Sequence, residues 1–309
     1  MIPYSQKTNF REAISKQVEI ENKVKNFLGN EGIPTIYTNY YILCIKKIAK
    51  LIAEGKYSEV ELVFNKWAGR DIDWAYLRLL IRREFNKVME LRFKSRKEGC
   101  VLYTPLILGT GTFVKDMSKE ENNGTISGAL WDNGIIGKCL YFDGHDDRVI
   151  IPRSTSLEPT QAMSIECWFK HELTGGDSAL ITKTTDNNWN DGYQIRVIGG
   201  KIHFWVNHYA LGFVNADYTK GKWYHVVGTY DSISVAPKLK IYLNGILANS
   251  KDYAGSINNS SKDLVYGCSQ GAGGSFYHHY NGRLDEIRIY NRALTNKEVA
   301  EHYEAEKPA

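Results

Sequence analysis

The sequence predicts an α+β multidomain chain, in which a small antiparallel helical bundle over residues 1–99 precedes an all-β sandwich over residues 100–309. Apolar residues recur every three or four positions before Gly99, and after it they alternate within short segments between Gly, Asn and Asp turns. Charge changes at the same place. Residues 1–99 hold 19 Lys and Arg against 12 Asp and Glu, whereas the remaining 20 and 23 give the second part a net charge of −3. The domain boundary is therefore expected at Lys97 to Gly99.

Composition places the chain among ordinary globular proteins, with 43% hydrophobic and 24% charged residues in a length of 309. No apolar run reaches the roughly 18 residues of a membrane span, and residues 1–16 lack the apolar segment of a secretory signal. We expect a protein made in the cytoplasm without a signal peptide. The cysteines form no C-x-x-C pair and are expected to be buried free thiols. They are Cys44, Cys100, Cys139, Cys167 and Cys268.

Four amphipathic helices are predicted in the first domain, because its apolar side chains follow helical spacing. Capping boxes, a proline in a first turn and C-terminal glycines mark the helix ends. These residues are Gly29, Pro34, Ser58, Glu61, Gly69 and either Asp71 or Asp73. Short connections between the helices indicate an antiparallel bundle.

The basic character of residues 1–99 invites a nucleic-acid hypothesis, since phosphate contacts need clustered Lys and Arg. However, acidic residues are interleaved on two of the helices and no groove-reading motif is present, so a solvated basic face is favoured. We expect this domain to dock onto structural partner proteins or to self-associate. The expected aromatic anchors are Tyr37, Tyr41, Trp67 and Tyr76.

The most informative segment of the second domain is residues 193–207, where Gly199-Gly200 separates two alternating strands. Two glycines between such strands predict a two-residue hairpin turn, which pairs Ile198 with Lys201 and fixes every later pair. One face of the hairpin is then apolar and is expected to join the core. It consists of Tyr193, Ile195, Val197, Ile202, Phe204 and Val206.

The opposite face of this hairpin is the first candidate ligand site. It places Gln194 beside Trp205 and Arg196 beside His203, with Asn207 at the edge. An aromatic ring among polar side chains suits a sugar, because the ring stacks on C–H groups while its neighbours bond the hydroxyls. The alternative is that Trp205 lies under another strand or a neighbouring chain.

Two loops offer a second candidate ligand site. The Gly-rich loop 269–282 carries Tyr277 and His279, and the segment 184–192 carries Trp189. Aromatic side chains on loops held by a rigid scaffold are typical contact residues. The paired histidines of the Gly-rich loop point apart on an extended segment and have no third partner at ligand spacing, so we expect no zinc site.

The closing stretch, residues 282–303, reads GRLDEIRIYNRALTNKEVAEHY and predicts a half-buried strand followed by a short helix. Alternation puts Asp285 on one face with the isoleucines that follow it, so this carboxylate is expected to point inward. A buried carboxylate needs a cation or N–H donors. Thr295 and Glu298 form a capping box that opens the helix.

This stretch resembles the closing signature of the LamG-like jelly roll, a concanavalin A-like lectin/glucanase sandwich. Residues 102–152, with Asp116, the Asn123-Gly124 pair and the Phe142-Asp143-Gly144 turn, resemble that family's opening. The segments SIECWFK, GKWYHVVGTYD and LKIYLNGIL resemble its middle strands. The resemblance covers roughly two-thirds of the chain in the right order, and implies a concanavalin-like jelly roll over residues 100–309 with a binding function.

The resemblance also implies a structural Ca²⁺, because relatives of this sandwich tie their first and last strands together through that ion. Carried over to this sequence, the ligands are Asp285 on the closing strand and Asp116 near the opening, with Asp143 or Asp147 as further candidates. The alternative is that Asp285 accepts hydrogen bonds from N–H groups of a turn and that no metal is bound.

We do not expect catalysis. The glucanase branch of the resembled fold uses a Glu-x-Asp-x-Glu strand, which places two carboxylates on one face. Here Glu166 alternates with Trp168 and Lys170, and no such triplet occurs. Esterase, phosphate-loop and zinc-protease motifs are also absent from the sequence.

Two functional hypotheses therefore stand. In the first, the chain is a structural or adhesive component of a large assembly such as a virion, with the helical domain docking and the sandwich displayed for surface decoration or attachment to a glycan or surface protein. In the second, it is a free carbohydrate-binding module. The missing export signal favours the first, because a sandwich that meets outside ligands must then leave the cell by another route.

Overall fold

The computed structural model describes residues 98–307, apart from 107–108, 174–175, 186–189, 236 and 254. The helical bundle predicted over residues 1–99 lies outside this part of the chain and stays a prediction. No helix of the described residues is both long and apolar enough to cross a membrane.

The first of two antiparallel sheets, sheet I, has eight strands. They are β1 (Cys100–Thr104), β4 (Leu130–Asn133), β5 (Lys138–Asp143), β7 (Ala162–His171), β12 (Tyr224–Asp231), β13 (Leu239–Leu243), β14 (Ile246–Lys251) and β18 (Asn281–Tyr290). Their order is β14-β13-β12-β7-β18-β5-β4, and β1 pairs with the second half of β18. The closing strand β18 therefore lies at the centre of the sheet.

Sheet II also has eight strands. They are β2 (Phe113–Val114), β3 (Gly124–Ser127), β6 (Arg148–Ile151), β8 (Asp177–Lys183), β9 (Asn190–Ile198), β10 (Lys201–His208), β11 (Val214–Asp217) and β15 (Leu264–Tyr266). Their order is β11-β10-β9-β8-β15-β6-β3-β2. A separate two-stranded ribbon consists of β16 (Ser269–Gln270) and β17 (Phe276–Tyr277). Short 3-10 turns span Thr155–Leu157 and Tyr209–Leu211.

The hydrophobic core lies between the inward faces of the two sheets, as in other β-sandwiches. The hairpin β9–β10 has the predicted register from Ile198 opposite Lys201 to Tyr193 opposite Val206, and the register then shifts so that His208 pairs with Asn190. Gly199 and Gly200 have φ angles of 57° and 79°, which suit a tight turn that only glycine enters freely. All six apolar residues predicted for its inner face are in the core. The all-β sandwich is therefore confirmed for the described residues.

A β-bulge in β18 changes the predicted facing of the closing strand. Asp285 pairs with Trp168 and Arg288 with Glu166, so two residues of β18 oppose one residue of β7. Glu286 takes a φ of 51° at this point. Asp285 consequently lies on the outer face with Arg288, whereas Ile287 lies in the core. The predicted sharing of a face between Asp285 and the isoleucines is wrong, because one inserted residue reverses the alternation.

The single α-helix of the described residues, α1 (Asn296–Glu306), follows β18. Its predicted capping box is confirmed, since Thr295 Oγ1 accepts from Glu298 N at 3.2 Å and Glu298 Oε2 accepts from Thr295 N at 2.8 Å. Its side chains Val299, His302 and Glu306 are buried. The helix therefore covers part of the outer face of sheet I.

The prediction of buried free thiols is confirmed for the four cysteines that the structure describes. Cys100, Cys139, Cys167 and Cys268 are buried and form no disulfide. Burial raises the pKa of Cys100 and of Cys268 to about 12. These thiols are therefore protonated at neutral pH and serve as small apolar side chains.

Candidate functional site

The outer face of the β9–β10 hairpin, predicted as a sugar-binding surface, is buried. Gln194, Arg196 and Trp205 have 0% exposure, and His203 has 4%. The predicted pairs do form, since Trp205 lies opposite Gln194 and His203 lies opposite Arg196. The pairing is confirmed, but the prediction of an exposed surface is wrong.

Two later segments of the chain lie on this face. Tyr209, in the turn after β10, packs edge-on against Trp205 with ring centroids 4.9 Å apart and stacks on Phe213 at 4.4 Å. On the other side, Arg196 Nη1 donates to Ser269 Oγ at 3.4 Å. Alternation within a strand shows which side chains share a face, but not whether another segment returns over that face.

Asn207, at the edge of the hairpin, has a structural role. Its Nδ2 donates to the Ser256 carbonyl at 2.9 Å, and its Oδ1 accepts from Asn258 N at 2.6 Å. Its amide is therefore occupied in anchoring a loop. Trp189 lies outside the described residues, and its predicted role stays a prediction.

Asp177, the first residue of β8, brings the two predicted sets of ligand residues together. Its Oδ1 accepts a hydrogen bond from Arg196 Nε of the hairpin, and its Oδ2 lies 3.5 Å from Nδ1 of His278 in the Gly-rich loop. His278 follows Tyr277, which pairs with Ser269 in the β16–β17 ribbon. We name these five residues, Asp177, Arg196, Ser269, Tyr277 and His278, the Asp177 site.

The Asp177 site is partly open to solvent. Tyr277 is 40% exposed, and the side chains of Asp177 and His278 are 30% and 33% exposed, while Arg196 is buried beneath them. Burial, and next the Arg196 charge, lowers the pKa of His278, so this imidazole is neutral at pH 7. The site thus presents a carboxylate fixed by a buried guanidinium, close in the fold to an exposed aromatic ring. His279 is only partly buried, and its Nδ1 has no hydrogen-bond partner among the residues that the structure describes.

Sequence reasoning did not identify Asp177 as a site residue. Its only signal is its register, since it pairs with Ile198 at the end of β9 next to the hairpin turn. Residues 184–189 join the two strands without a two-residue turn that would fix their register, and the register shifts between Ala179 and Ile181. The predicted hairpin pairing, by contrast, followed from its two-residue turn.

Asp116, a predicted calcium ligand, is occupied by its own loop. Its Oδ1 accepts from the N–H groups of Tyr103 and Ser118, both at 2.8 Å. Its Oδ2 accepts from Ser118 Oγ at 2.7 Å and from Asn122 N at 2.8 Å. The carboxylate thereby ties the loop after β2 to strand β1.

Asp285, the other predicted ligand, holds the turn between β4 and β5. Its Oδ2 accepts from the N–H groups of Ile135 at 2.8 Å and Ile136 at 3.2 Å, and its Oδ1 accepts from Glu286 N at 2.8 Å. A Cβ at Gly134 would collide with this carboxylate, so glycine permits the close approach. These N–H groups are the turn donors that the sequence analysis gave as the alternative to a metal. The hydrogen bonds of Asp285 join β18 to this turn, and Asp116 takes no part in them.

A different acidic group has the geometry of a cation site within the described residues. One carboxylate oxygen each from Asp143, Asp146 and Asp147 lies within 4.8 Å of the others. Asp147 Oδ2 also accepts from Asp143 N at 2.9 Å, which closes the loop between β5 and β6. Asp143 and Asp147 were the further candidates of the sequence analysis. Three oxygen donors at this spacing are chemically suited to a hard cation such as Ca²⁺.

Glu166, the carboxylate considered for catalysis, lies in a buried charged network beneath α1. Its Oε1 is 2.9 Å from His225 Nε2 and 3.3 Å from Arg288 Nη1, and its Oε2 is 2.9 Å from His302 Nδ1. Burial alone would raise the pKa of Glu166, but His302 and Arg288 hold it well below its usual value. Glu166 is fully buried, so it is an ion-pair partner without access to a substrate.

The network continues to two further carboxylates around the same guanidinium. Arg288 Nη2 donates to Glu306 Oε1 at 2.6 Å and also to Glu286 Oε2. Trp168 Nε1 donates to Glu306 Oε2 at 2.9 Å. Although Glu166, His225 and Glu306 have the spacing of metal ligands, the Arg288 guanidinium supplies the positive charge among them. These contacts instead fasten α1 to sheet I.

Similar folds occur in solved structures of low sequence identity. The binding domain of Paraclostridial Mosquitocidal Protein 1 is 17% identical, with a TM-score of 0.53. The match covers 66% of the present chain and 52% of the chain of that protein. A structure reported for botulinum neurotoxin type C, whose cell entry depends on interaction with two ganglioside molecules, is 17% identical. Its TM-score is 0.54, and the match covers 70% of this chain and 53% of that one. The present chain thus spans about half the length of these two matched chains.

A third structure matches over almost its whole length. Domain 4 of AbnA, an extracellular arabinanase of Geobacillus stearothermophilus solved with arabinotriose, is 18% identical, with a TM-score of 0.52 over 66% of this chain and 98% of its own. At such identity these likenesses establish the fold only. No curated protein matches the sequence.

Family assignment comes from the sequence itself. A family model described as concanavalin A-like lectin/glucanases superfamily matches residues 143–300, which is about half of the chain. The matched segment runs from the end of β5 into α1 and includes the whole of β18, in agreement with the resemblance noted in the closing stretch. The chain belongs to the concanavalin A-like lectin/glucanases superfamily, in its Laminin G-like branch.

Proposed function

We propose that the sandwich is a non-catalytic glycan-binding domain and that the Asp177 site is where it contacts the sugar. The observation that carries this proposal is the partly exposed carboxylate of Asp177, held by the buried Arg196, close in the fold to the exposed ring of Tyr277. The arabinotriose-bound and ganglioside-dependent proteins of similar fold lend support.

The chemistry of the Asp177 site suits a neutral sugar. A carboxylate already oriented by a guanidinium accepts hydrogen bonds from vicinal hydroxyls without losing further side-chain freedom. An aromatic ring such as Tyr277 covers the C–H face of a pyranose or furanose. His278, neutral because of its lowered pKa, adds a group that donates or accepts according to its tautomer.

The absence of catalysis is part of this proposal. Glu166 is buried and occupied by His225, His302 and Arg288, and retaining hydrolysis needs two accessible carboxylates about 5 Å apart. A calcium ion at Asp143, Asp146 and Asp147 is proposed as a structural aid to the loop between β5 and β6.

The test is glycan binding by matched variants of the full chain. Wild type is applied to a glycan array, and the affinity for the best ligand is then measured with Ca²⁺ and with chelator. Tyr277→Ala and Asp177→Asn are each expected to weaken binding at least about fivefold, the loss typical of an aromatic or charged contact. Phe113→Ala, at an aromatic residue 48% exposed on β2, is the control.

Each result of this experiment bears on one part of the proposal. If Tyr277→Ala, Asp177→Asn and wild type bind with equal affinity, the Asp177 site does not contact the sugar. Release of shortened sugars during incubation would overturn the non-catalytic assignment. If the chelator changes neither the affinity nor the melting temperature, the proposal of a structural calcium ion is wrong.

The second candidate function is assembly, with residues 1–99 docking the chain onto a large particle such as a virion. It is favoured by the opposite charges of the two parts of the chain, since 19 basic against 12 acidic residues precede a sandwich of net charge −3. Opposite charges guide association between subunits. Glycan attachment and assembly are compatible in one chain.

A further inference from the structure

The loop between β12 and β13 exposes two large apolar side chains to solvent. Residues 232–238 connect the two strands, and in this loop Ile233 is 75% exposed and Val235 is 96% exposed. The loop is held from within by polar contacts, because Asp231 Oδ1 accepts from Ile233 N at 3.1 Å. Its apolar side chains therefore point outward while hydrogen bonds fix its backbone.

A cleft of about 380 Å³ lies directly beside this loop. Lys238, immediately before β13, and Lys240, within β13, both line it. Within the described residues, neither lysine forms an ion pair. The remaining lining residues are Thr229, Asp231, Ser234, Pro237, Ala293, Leu294, Thr295 and Asn296.

The lysines are the source of positive charge in this cleft. The first turn of α1 is adjacent, but its capping box already occupies donors there, since Thr295 Oγ1 accepts from Glu298 N. Asp231 offsets one positive charge. Its Oδ1 is engaged by the loop backbone, and the cleft keeps a net charge of +1. A net positive charge favours an anionic group there.

We propose that this loop and cleft form a docking surface for an anionic lipid membrane. Ile233 and Val235 enter the interfacial region of the bilayer while Lys238 and Lys240 receive the phosphate of a lipid headgroup. Two exposed apolar residues alone are common on protein surfaces, and two lysines alone bind anions weakly. Two exposed apolar side chains on the loop and two lysines that line the neighbouring cleft match the two layers of a membrane surface.

The experiment is co-sedimentation of the full chain with two kinds of vesicle, phosphatidylcholine alone and phosphatidylcholine mixed with phosphatidylserine. Wild type is expected to bind the mixed vesicles preferentially. The Lys238→Gln/Lys240→Gln variant is expected to lose about 30-fold in partitioning, from about 1 kcal/mol for each lysine near the surface. Ile233→Ser/Val235→Ser is expected to lose binding to a similar degree through buried apolar area.

Matched controls separate this surface from other charges of the chain. Ile246→Ser changes an apolar residue of 72% exposure on β14, opposite Leu243 at the far end of β13. Lys119→Gln changes an exposed lysine outside the cleft. Both are expected to bind as wild type does. The basic residues 1–99 are present in every variant, so any attraction they add cancels in the comparison.

The outcomes distinguish docking from simpler alternatives. Loss of binding in both test pairs, with both controls unchanged, supports the proposal. Loss in the lysine pair alone would mean a phosphate site without membrane insertion, and would overturn it. Equal binding by all variants, or no preference for anionic vesicles, would overturn it as well. The glycan experiment uses other residues, so either proposal can fail separately.

Discussion

Arg288 is the residue on which the buried charges beneath α1 depend. Its guanidinium contacts the carboxylates of Glu166, Glu286 and Glu306, and all four side chains are almost fully buried. A buried carboxylate without a cation is costly, because the low dielectric does not screen its charge. Arg288 is the group in this network that contacts all three carboxylates, while His302 also contacts Glu166.

We therefore expect Arg288→Met to lower the free energy of unfolding by about 3–5 kcal/mol, the usual cost of breaking a buried ion pair. Arg153→Met is the control, because Arg153 pairs with Glu158 while its side chain is 53% exposed, and such pairs contribute less than about 1 kcal/mol. Urea unfolding at pH 7 measures both. Similar losses in the two variants would contradict the assigned role of Arg288.

Individual polar residues were the hardest feature to predict. Asp285 was expected to point inward, and a bulge at Glu286 moved it to the outer face, where three N–H groups bind it. Asp177 was not singled out, because its role depends on Arg196 and His278 from distant segments. A single sequence shows the chemistry of such residues but not their neighbours.

At the scale of elements, local signals were sufficient wherever turn chemistry fixes the structure. The Gly199-Gly200 turn specified the pairs of the β9–β10 hairpin as far as Val206 with Tyr193, and the Thr295/Glu298 capping box specified the start of α1. What local patterns missed was the return of Tyr209 over Trp205. Burial of an outer face depends on long-range packing, which alternation does not report.

The capping box gives α1 a predictable dependence on acid. Hydrogen bonds from Arg292 lower the pKa of Glu298 from 4.5 to about 2. Since the pKa in the folded state lies below its unfolded value, ionised Glu298 stabilises the fold above about pH 4.5. That contribution is lost as the pH falls toward about 2.

Accordingly, wild type and Glu298→Gln are expected to differ in melting temperature near neutral pH and to converge as the pH falls from about 4.5 to about 2. Thermal unfolding followed by circular dichroism across this range measures the difference. Glu304→Gln, at a mostly exposed glutamate of the same helix, serves as the control and should show little difference from wild type at any pH. If the melting temperature of Glu298→Gln differs from that of wild type by the same amount at every pH, the variant has lost packing instead of an ionic contribution.

At the scale of the whole molecule, the order of the sequence motifs was enough to identify the sandwich. The opening, middle and closing segments that resembled the family fall on strands of the two packed sheets. Each piece alone is a short alternating segment that many β proteins contain. The order of the pieces was therefore what identified the fold. The predicted boundary at Lys97 to Gly99 immediately precedes β1 at Cys100.

The proposed assembly role belongs to the whole chain and predicts a difference between two lengths of protein. If residues 1–99 dock through aromatic anchors such as Trp67, the full-length protein should self-associate or co-purify with a larger particle. Residues 100–309 alone should remain monomeric, because both sheets of the described core lie within that span. Light scattering of both proteins measures their mass.

Because basic residues of the 1–99 segment would meet the sandwich of a neighbouring molecule, whose net charge is −3, added salt should weaken the association. A monomeric full-length protein that nevertheless binds glycan would leave the free carbohydrate-binding module as the better description.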